Sequence, residues 1–516
     1  MQGKMAISSK KRASAPHYVS PSQLTLSGFE SPFERNLNPQ NRWVVLSKLI
    51  PWDIICNTYL HHVPLSSTGR PPISPRVIIG ALIIKHLGDL DDRDTIDQIS
   101  ENIYMQYFLG YPTFTDEPPF DASLFVEIRK RLGLDAINAL NEQIVKLRTK
   151  QENLVKPSSS SSPDEPKQDQ GPDEDQTNCQ ANNKGTVIMD ATACPQNIAY
   201  PTDLNLLNDA REKTEELIDV LYRKALHGTK PRTYREIARK LYLKTAQKKN
   251  KSRKEIYKAV GSQLRLIKRN IRHLNELLDT YEGIPLKPKE LKYLYVVQTL
   301  YQQQLEMHQN RTHSVSDRIV SIHQPHVRPI VRGKSQARVE FGTKIHASIV
   351  DGITFLDELS WDPFNEGSHM ELYVAKYRDR FGYYPAELLA DKIYCTRANR
   401  AMLKEKGVKL KAKPLGRPIA SALKIQLSPG ERNPIEGKFG QAKTAYGLGC
   451  IRARLKQTSE TWIACIFLVL NLVKLAGIAL LCQIISAVKS FSLQLEIIAS
   501  KPRLENYCRN FIIDAA

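Results

Sequence analysis

Residues 185–192 read GTVIMDAT and directly follow a long polar stretch. The run TVIM is apolar and β-rich, which predicts a buried strand that ends at Asp190. A second short apolar run, AELLAD, ends at Asp391 and predicts another strand. Two strands that each end in a lone carboxylate are the feature from which the rest of the fold can be worked out.

The sequence between and after these two strands alternates between strand and helix patterns. Residues 339–362 contain two β-type runs joined at Asp351 and Gly352, a short hairpin signal. Helices are expected over 368–381 and 397–405, a short strand at VKLKA, a helix from about Pro429, and an apolar helix at 461–481. The order of three strands, helix, strand, helix, strand, helix is the ribonuclease H-like layout, an α/β fold with a mixed five-stranded sheet.

The remainder of the chain divides by composition. Residues 40–150 predict short helices, one from Ser74 and Pro75 to Leu87, one opened by Asp92 or Asp94, and a third in FDASLFVEIRKRLG between Asp121 and Gly133. Ser, Pro, Asp and Gln dominate the acidic stretch that follows, which predicts a disordered linker. The expected organisation is a flexible leader (1–39), a helical N-terminal DNA-binding domain (40–150), a linker (151–184), a catalytic domain (185–205 and 312–485), a helical insert (206–311) and a C-terminal tail (486–516).

Charge indicates a polyanionic partner. The 516 residues carry 74 Lys and Arg against 54 Asp and Glu, a net charge of +20, which favours nucleic acid or an acidic membrane surface. From Arg211 to Arg311 there are 24 Lys and Arg against 11 Asp and Glu, so +13 of that charge lies in the insert. Phosphate neutralisation, with Tyr234, Tyr242 and Tyr257 against sugar or base, is one interpretation. A coiled hairpin with solvated lysines is the other.

Three carboxylates suit phosphodiester chemistry. Two Mg²⁺ ions could activate a water or 3′ hydroxyl and stabilise the leaving oxygen, and hard cations bind carboxylates. Asp190 and Asp391 are expected at one edge of the sheet, with Glu436 arriving from a helix in RNPIEGKFGQAK. At 100° per residue, Arg432 and Lys443 fall within roughly 40° of Glu436 on one helix face. That face would place two phosphate-binding cations beside a metal ligand, whereas Asp351, Asp357 and Glu366 are expected to be turn or capping groups.

The motifs together resemble a known family. The chain resembles insertion-sequence DDE transposases, with a ribonuclease H-like catalytic domain and a transposase InsH-like N-terminal domain over about 70–135. In such enzymes the first Asp stands in a segment like MDAT, the second in one like ADKIYCTRANR, and the Glu in a pattern of Tyr, Arg, Glu and Lys. Arg432, Glu436 and Lys443 fill three of these four places, and Pro429 occupies that of Tyr.

The resemblance implies a function. Asp190, Asp391 and Glu436 would hold two Mg²⁺ or Mn²⁺ ions, and the enzyme would nick the ends of a mobile element and join the freed 3′ hydroxyl to target DNA. The partners would be double-stranded DNA and further copies of the chain, as a homodimer or higher synaptic assembly. The alternatives are a nuclease of the same fold without strand transfer and an inactive DNA-binding relic.

Two further expectations concern the environment and the N-terminal region. Eight scattered cysteines and the absence of an apolar signal stretch favour a reduced, cytoplasmic and nucleoid-associated location. The apolar stretch 461–481 has the length of a membrane span but contains Asn471 and Lys474, so we interpret it as a core helix and expect no membrane partner. In the N-terminal region a helix-turn-helix-like unit would contact DNA through Arg129, Lys130 and Arg131, the alternative being an ordinary bundle with a solvated basic face.

Overall fold

The computed structural model describes residues 37–62, 73–155, 183–331, 339–412 and 430–477, without side chains over 144–155. The described residues form two compact units, one from within 1–124, 139–165 and 468–516, the other from within 125–138 and 166–467. The predicted leader, acidic linker and C-terminal tail, and Pro429, lie wholly or mostly outside the described residues.

The first unit is helical. Its core contains the rings of Trp43 and Trp52, which lie 5.3 and 5.1 Å from that of Phe108. The buried Lys85 is satisfied by Asp92 at 2.9 Å. Its helices are α1 (Arg42–Leu49), α2 (Trp52–His62), α3 (Pro75–Leu87), α4 (Asp92–Glu101) and α5 (Ile103–Leu109). The predicted bounds of α3 and the start of α4 are confirmed, and Asp91 caps α4 by accepting two backbone N–H groups.

The next helix, α6 (Leu124–Val155), is broken at Gly133, where φ is 66°. Asp121 precedes it, and its Oδ1 accepts the Ser123 N–H at 2.8 Å. The sequence predicted that this helix would stop at Gly133. The glycine does leave the helical conformation, because it has no Cβ to oppose a positive φ, but the chain then resumes a helix.

The second unit contains a mixed six-stranded sheet. Its strands are β1 (Thr186–Pro195), β2 (Arg328–Val331), β3 (Val339–Val350), β4 (Ile353–Ser360), β5 (Glu387–Leu389) and β6 (Lys409–Lys411). The strand order is β2, β3, β1, β5, β6, and β4 also pairs with β3. The predicted sheet had five strands. The additional one is β2, which pairs with the beginning of β3, while β4 pairs with the rest of it.

The connections of the sheet agree with the sequence pattern. The β3–β4 hairpin turns at Asp351 and Gly352, with φ of 51° and 79°, as its turn residues predicted. Two short 3₁₀ turns lie at Glu366–His369 and Lys392–Tyr394. The helices that follow are α12 (Met370–Phe381), α13 (Arg397–Glu405) and α14 (Asn433–Ala445), numbered after those of the insert.

The insert between β1 and β2 is helical. Its helices are α7 (Asp203–Leu221), α8 (Lys224–His227), α9 (Arg235–Ala246), α10 (Arg253–Leu278) and α11 (Pro288–Asn310). Two apolar clusters join α7, α10 and α11, one around Ile267 and Val297 and the other around Ile218 and Leu274. The insert therefore has its own core, which also encloses the ion pair of Arg211 and Glu215 on α7.

The last described helix, α15 (Lys456–Gly477), is long and apolar enough to span a membrane by length and composition. However, 67% of its most apolar window is buried inside the protein. Its polar groups have partners: the Thr461 hydroxyl donates to the Arg129 carbonyl at 2.9 Å, and the Asn471 amide donates to Asn141 at 2.7 Å. These contacts are those expected of a core helix.

Candidate active site

The strand predicted to end at Asp190 continues to Pro195, because its second half also pairs with β3, so that prediction was wrong. Asp190 lies near the middle of β1 with its side chain 23% exposed. Its Oδ1 accepts the N–H of Ala191 at 2.8 Å. Burial raises the pKa of this carboxyl, the Ala191 N–H and Arg432 lower it, and Asp391 and Glu366 raise it further. Asp190 is thus a partly desolvated acid with other acids nearby, and a cation placed beside it would stabilise its ionised form.

Asp391 lies two residues beyond the end of β5, the parallel neighbour of β1. Val187 pairs with Leu388 and Ile188 with Leu389, so Asp190 and Asp391 each come two residues after the last of these pairs. The Asp391 side chain is 55% exposed, and its Oδ1 accepts the Lys392 N–H at 2.7 Å, capping the 3₁₀ turn. The residue therefore caps a turn and also lies in register with Asp190.

Arg432 joins the two carboxylates. One guanidinium nitrogen lies 3.3 Å from Asp190 Oδ2 and another lies 3.2 Å from Asp391 Oδ1. The arginine is the N-cap of α14, and its side chain is 20% exposed. A planar fork of donors can contact two acids at once, which a lysine ammonium does less well. The structure thus places one positive charge between two acids that come from distant parts of the chain.

Glu436 lies one helical turn beyond Arg432 and is exposed. The helix α14 is anchored by the buried side chains of Ile435, Phe439 and Ala442. Lys443 is half-buried in the last turn. Among the described residues, no three His, Cys, Asp or Glu side chains form a group that could hold a metal ion. The described residues therefore bring Asp190 and Asp391 together through Arg432, but Glu436 does not form a three-carboxylate group with them.

The donor set nevertheless fits a hard divalent cation. Carboxylate oxygens are the ligands that Mg²⁺ and Mn²⁺ take, and Mg²⁺ commonly uses only one or two carboxylates together with water and phosphate. The Arg432 guanidinium occupies a position between the two acids where a positive charge is favourable. Asp190 and Asp391 are therefore the residues that fit a metal, and Glu436 lies one helical turn beyond the arginine that contacts both of them.

Comparison with known proteins gives two family matches. Residues 31–131 match a family described as "Transposase domain (DUF772)", and residues 388–473 match one described as "Transposase DDE domain". Two separate regions of the chain thus match transposase families, the second of them the DDE transposases. An uncharacterized protein, ORF8 in the nfe locus of Rhizobium meliloti, is 28% identical to this chain over 181 residues, which is 34% of this chain and 73% of the relative. No solved structure matches the chain.

The DDE-domain match covers only part of the site. It includes Asp391, Arg432, Glu436 and Lys443 but begins well after Asp190. Asp190 joins the site through the pairing of β1 with β5 and through its contact with Arg432. The resemblance to insertion-sequence DDE transposases inferred from the sequence is therefore confirmed at the level of the family.

The three predicted DNA-binding residues of α6 differ in their surroundings. Lys130 and Arg131 are exposed, and Lys130 pairs with Glu127 at 2.8 Å. Arg129 is only 2% exposed, and its guanidinium lies 5.4 Å from the ring centre of Trp462. A side chain enclosed in this way does not reach a phosphate, so the prediction of a DNA contact for Arg129 is corrected to a packing role. Lys130 and Arg131 remain predictions.

Two residues near the site were not predicted from the sequence. Glu366, expected to be a turn or capping group, pairs with Lys344 at 3.0 Å and raises the pKa of Asp190 by its charge. The Asn399 amide donates to the Gly367 carbonyl at 2.7 Å and to the Tyr394 carbonyl at 2.9 Å. It thus ties the 3₁₀ turn that begins at Glu366 to the one that Asp391 caps. The asparagine was visible in ADKIYCTRANR, but its two acceptors are set only by the fold.

Proposed function

We propose that this chain is a transposase that cleaves phosphodiester bonds at the ends of an insertion sequence and joins the freed 3′ ends to target DNA. The observation that supports this proposal most is the contact of Arg432 with both Asp190 and Asp391. Two acids in register, one on β1 and one just after its parallel neighbour β5, provide the arrangement that metal-dependent phosphoryl transfer needs. The order of the strands is consistent with a ribonuclease H-like layout for the catalytic domain.

The residues have distinct roles in the proposed reaction. Asp190, Asp391 and Glu436 would hold Mg²⁺ or Mn²⁺, two ions in the full site, which supply the activated oxygen nucleophile and neutralise the leaving oxygen. Arg432 holds the two aspartates together until substrate arrives and then offers its guanidinium to the DNA phosphate. Lys443, at the far end of α14, neutralises a second phosphate.

The proposed partner is double-stranded DNA, both element end and target. The exposed Lys130 and Arg131 on α6 provide cations for the DNA backbone in the N-terminal region. Because two element ends have to be joined, we propose that the active form is a homodimer or a larger synaptic assembly, acting in the cytoplasm on nucleoid DNA.

The test is a reaction of the full-length protein with a supercoiled plasmid that carries the terminal inverted repeats, in Mg²⁺ or Mn²⁺. We expect nicks at the element ends followed by joined products, and neither product with Asp391→Asn or Glu436→Gln. Asp379→Asn, an exposed acid on α12, is the matched control and should keep both activities.

The alternatives give different results. Nicking without joined products would indicate a nuclease of the same fold. DNA binding with no metal-dependent nicking by the wild type would indicate an inactive DNA-binding relic and would contradict the proposal.

A further inference from the structure

A row of cations runs along the outer face of α10. At 100° per residue, five Lys and Arg positions of this helix fall within about 80° of one another. All five side chains are exposed. We call these residues the α10 stripe: Lys254, Lys258, Arg265, Lys268 and Arg272. It extends over 19 residues, and the 18 steps from Lys254 to Arg272 give about 27 Å of helix at 1.5 Å per residue.

The orientation of the α10 stripe is fixed by the opposite face of the helix. Leu264, Ile267 and Leu274 are buried against α7 and α11 in the two apolar clusters of the insert. Ser252 caps the start of α10 in a reciprocal pair with Glu255. Because the apolar face is already packed inside the protein, the stripe points to solvent, and α10 has no apolar face left to insert into a lipid surface.

Few acids neutralise this surface. From Arg235 to Lys268 the chain has 12 Lys and Arg and 2 Asp and Glu. One of the two acids, Glu255, is paired with Lys248 at 2.5 Å. At the far end of the stripe, Arg272 pairs with Glu276 at 3.4 Å across exposed side chains, a contact that contributes little. The positive field of the stripe is therefore largely uncompensated.

One end of the stripe also carries an aromatic pair. The rings of Tyr257 and His308 are stacked with centres 3.9 Å apart, and the guanidinium of Arg311 lies 5.7 Å from the Tyr257 ring centre. Tyr257 is 41% exposed. A cation and an exposed ring at the end of a basic row suit a sugar-phosphate backbone.

We propose that the α10 stripe binds the phosphate backbone of duplex DNA along one strand, independently of base sequence. Neighbouring cations four residues apart are about 6 Å apart along the helix, close to the separation of successive phosphates. At that separation the 27 Å of the stripe spans about four to five successive phosphates of one strand. The choice of DNA as the ligand rests on the proposed function, because the DNA bound here is the DNA that the enzyme would cut. The α10 stripe is a different site from Asp190 and Asp391.

The experiment measures duplex binding as a function of salt, with full-length protein in EDTA so that no cleavage occurs. A variant with Lys258→Gln, Arg265→Gln and Lys268→Gln removes three cations of the stripe. Its matched control removes three exposed lysines at the start of α11, Lys287, Lys289 and Lys292. Circular dichroism checks that each variant retains its helices.

The slope of log K against log salt should become less negative by about 2.7 in the stripe variant, since each lost phosphate contact contributes about 0.9. It should remain near the wild-type value in the control, on element-end and unrelated duplexes alike. An unchanged slope in the stripe variant, or an equal change in both variants, would overturn the proposal. So would normal DNA binding combined with lost binding to phosphatidylglycerol vesicles.

The experiments distinguish a failure of the proposed function from a failure of the α10 stripe. If the wild type does not cleave DNA but the slope changes as expected, the proposed function is wrong and the α10 stripe stands. If Glu436→Gln abolishes cleavage and the stripe variant keeps the wild-type slope, the stripe is wrong and the proposed function stands.

Discussion

Replacing Arg432 by Gln should destabilise the metal-free protein, because it removes the positive charge that contacts both Asp190 and Asp391. Two contacts of 3.3 and 3.2 Å are lost. At an effective dielectric of 20 each is worth up to roughly 5 kcal/mol, and solvent exposure of the partners reduces the net effect to about 1–2 kcal/mol. For a unit of this size we expect a fall in Tm of roughly 2–8 °C in EDTA at neutral pH.

The loss should depend on pH with a definite sign. Burial raises the pKa of folded Asp190 above its ordinary value of 3.8, so stability falls as pH rises through the interval between these two values. Since Arg432 lowers this pKa, Arg432→Gln raises it further and widens the interval. The difference between wild type and variant should therefore be present at neutral pH and disappear below the ordinary value, where Asp190 is protonated both folded and unfolded.

A divalent cation provides the second arm of this test. Saturating Mn²⁺ should raise the Tm of Arg432→Gln more than that of the wild type, because the ion can supply the missing positive charge. Arg432→Lys keeps the positive charge without the planar fork of donors, so its Tm in EDTA should lie between those of the wild type and Arg432→Gln. An unchanged Tm of Arg432→Gln in EDTA would contradict this role of Arg432. So would a Tm difference between wild type and Arg432→Gln that is the same with and without Mn²⁺.

Three further predictions follow from contacts away from Arg432. Asp357→Asn removes the buried carboxylate that contacts the partly buried Arg380 guanidinium at 2.7 Å, and should cost about 3–5 kcal/mol in urea unfolding. Burial tends to raise the pKa of Asp357, but Arg380 and a buried histidine lower it to about 2, so this contribution should be lost as pH falls from about 4 to 2. Asn399→Ala should loosen the turn capped by Asp391 and reduce the nicking rate at least about tenfold with little change in DNA affinity; a wild-type rate would contradict its positioning role. Arg129→Ala should lower Tm but leave the slope of log K against log salt for DNA binding unchanged. A slope that becomes less negative by about 0.9 would instead support a direct contact of Arg129 with a DNA phosphate.

Much of the fold could be predicted because its signals are local. The bounds of α3, the β3–β4 turn at Asp351 and Gly352, and the helix over 397–405 all agree with capping, turn and periodicity patterns. The strand β2 was missed because its four residues, RPIV, carry no alternation and become a strand only by pairing with β3. A strand that depends on its partner in this way cannot be recognised from a short stretch of its own sequence.

The site was predictable in its residues but not in its contacts. Asp190 and Asp391 were identified as strand-end residues, but β1 continues beyond Asp190 to Pro195. The parallel pairing of β1 with β5 explains why the two acids meet. The sequence predicted Arg432 on the face of Glu436, whereas in the structure its guanidinium lies between the two aspartates. The burial of Arg129 was also not predictable, because Trp462, which lies against it, is more than 300 residues away in the chain.

Iron-mediated cleavage of the protein backbone shows whether Asp190 and Asp391 form one cation site. Fe²⁺ with ascorbate cuts a chain next to the site where the ion is bound. We predict cuts near both residues in the wild type, and the loss of both cuts when either Asp is replaced by Asn. Cuts near only one of them, or cuts that persist near Asp190 in Asp391→Asn, would contradict a shared site.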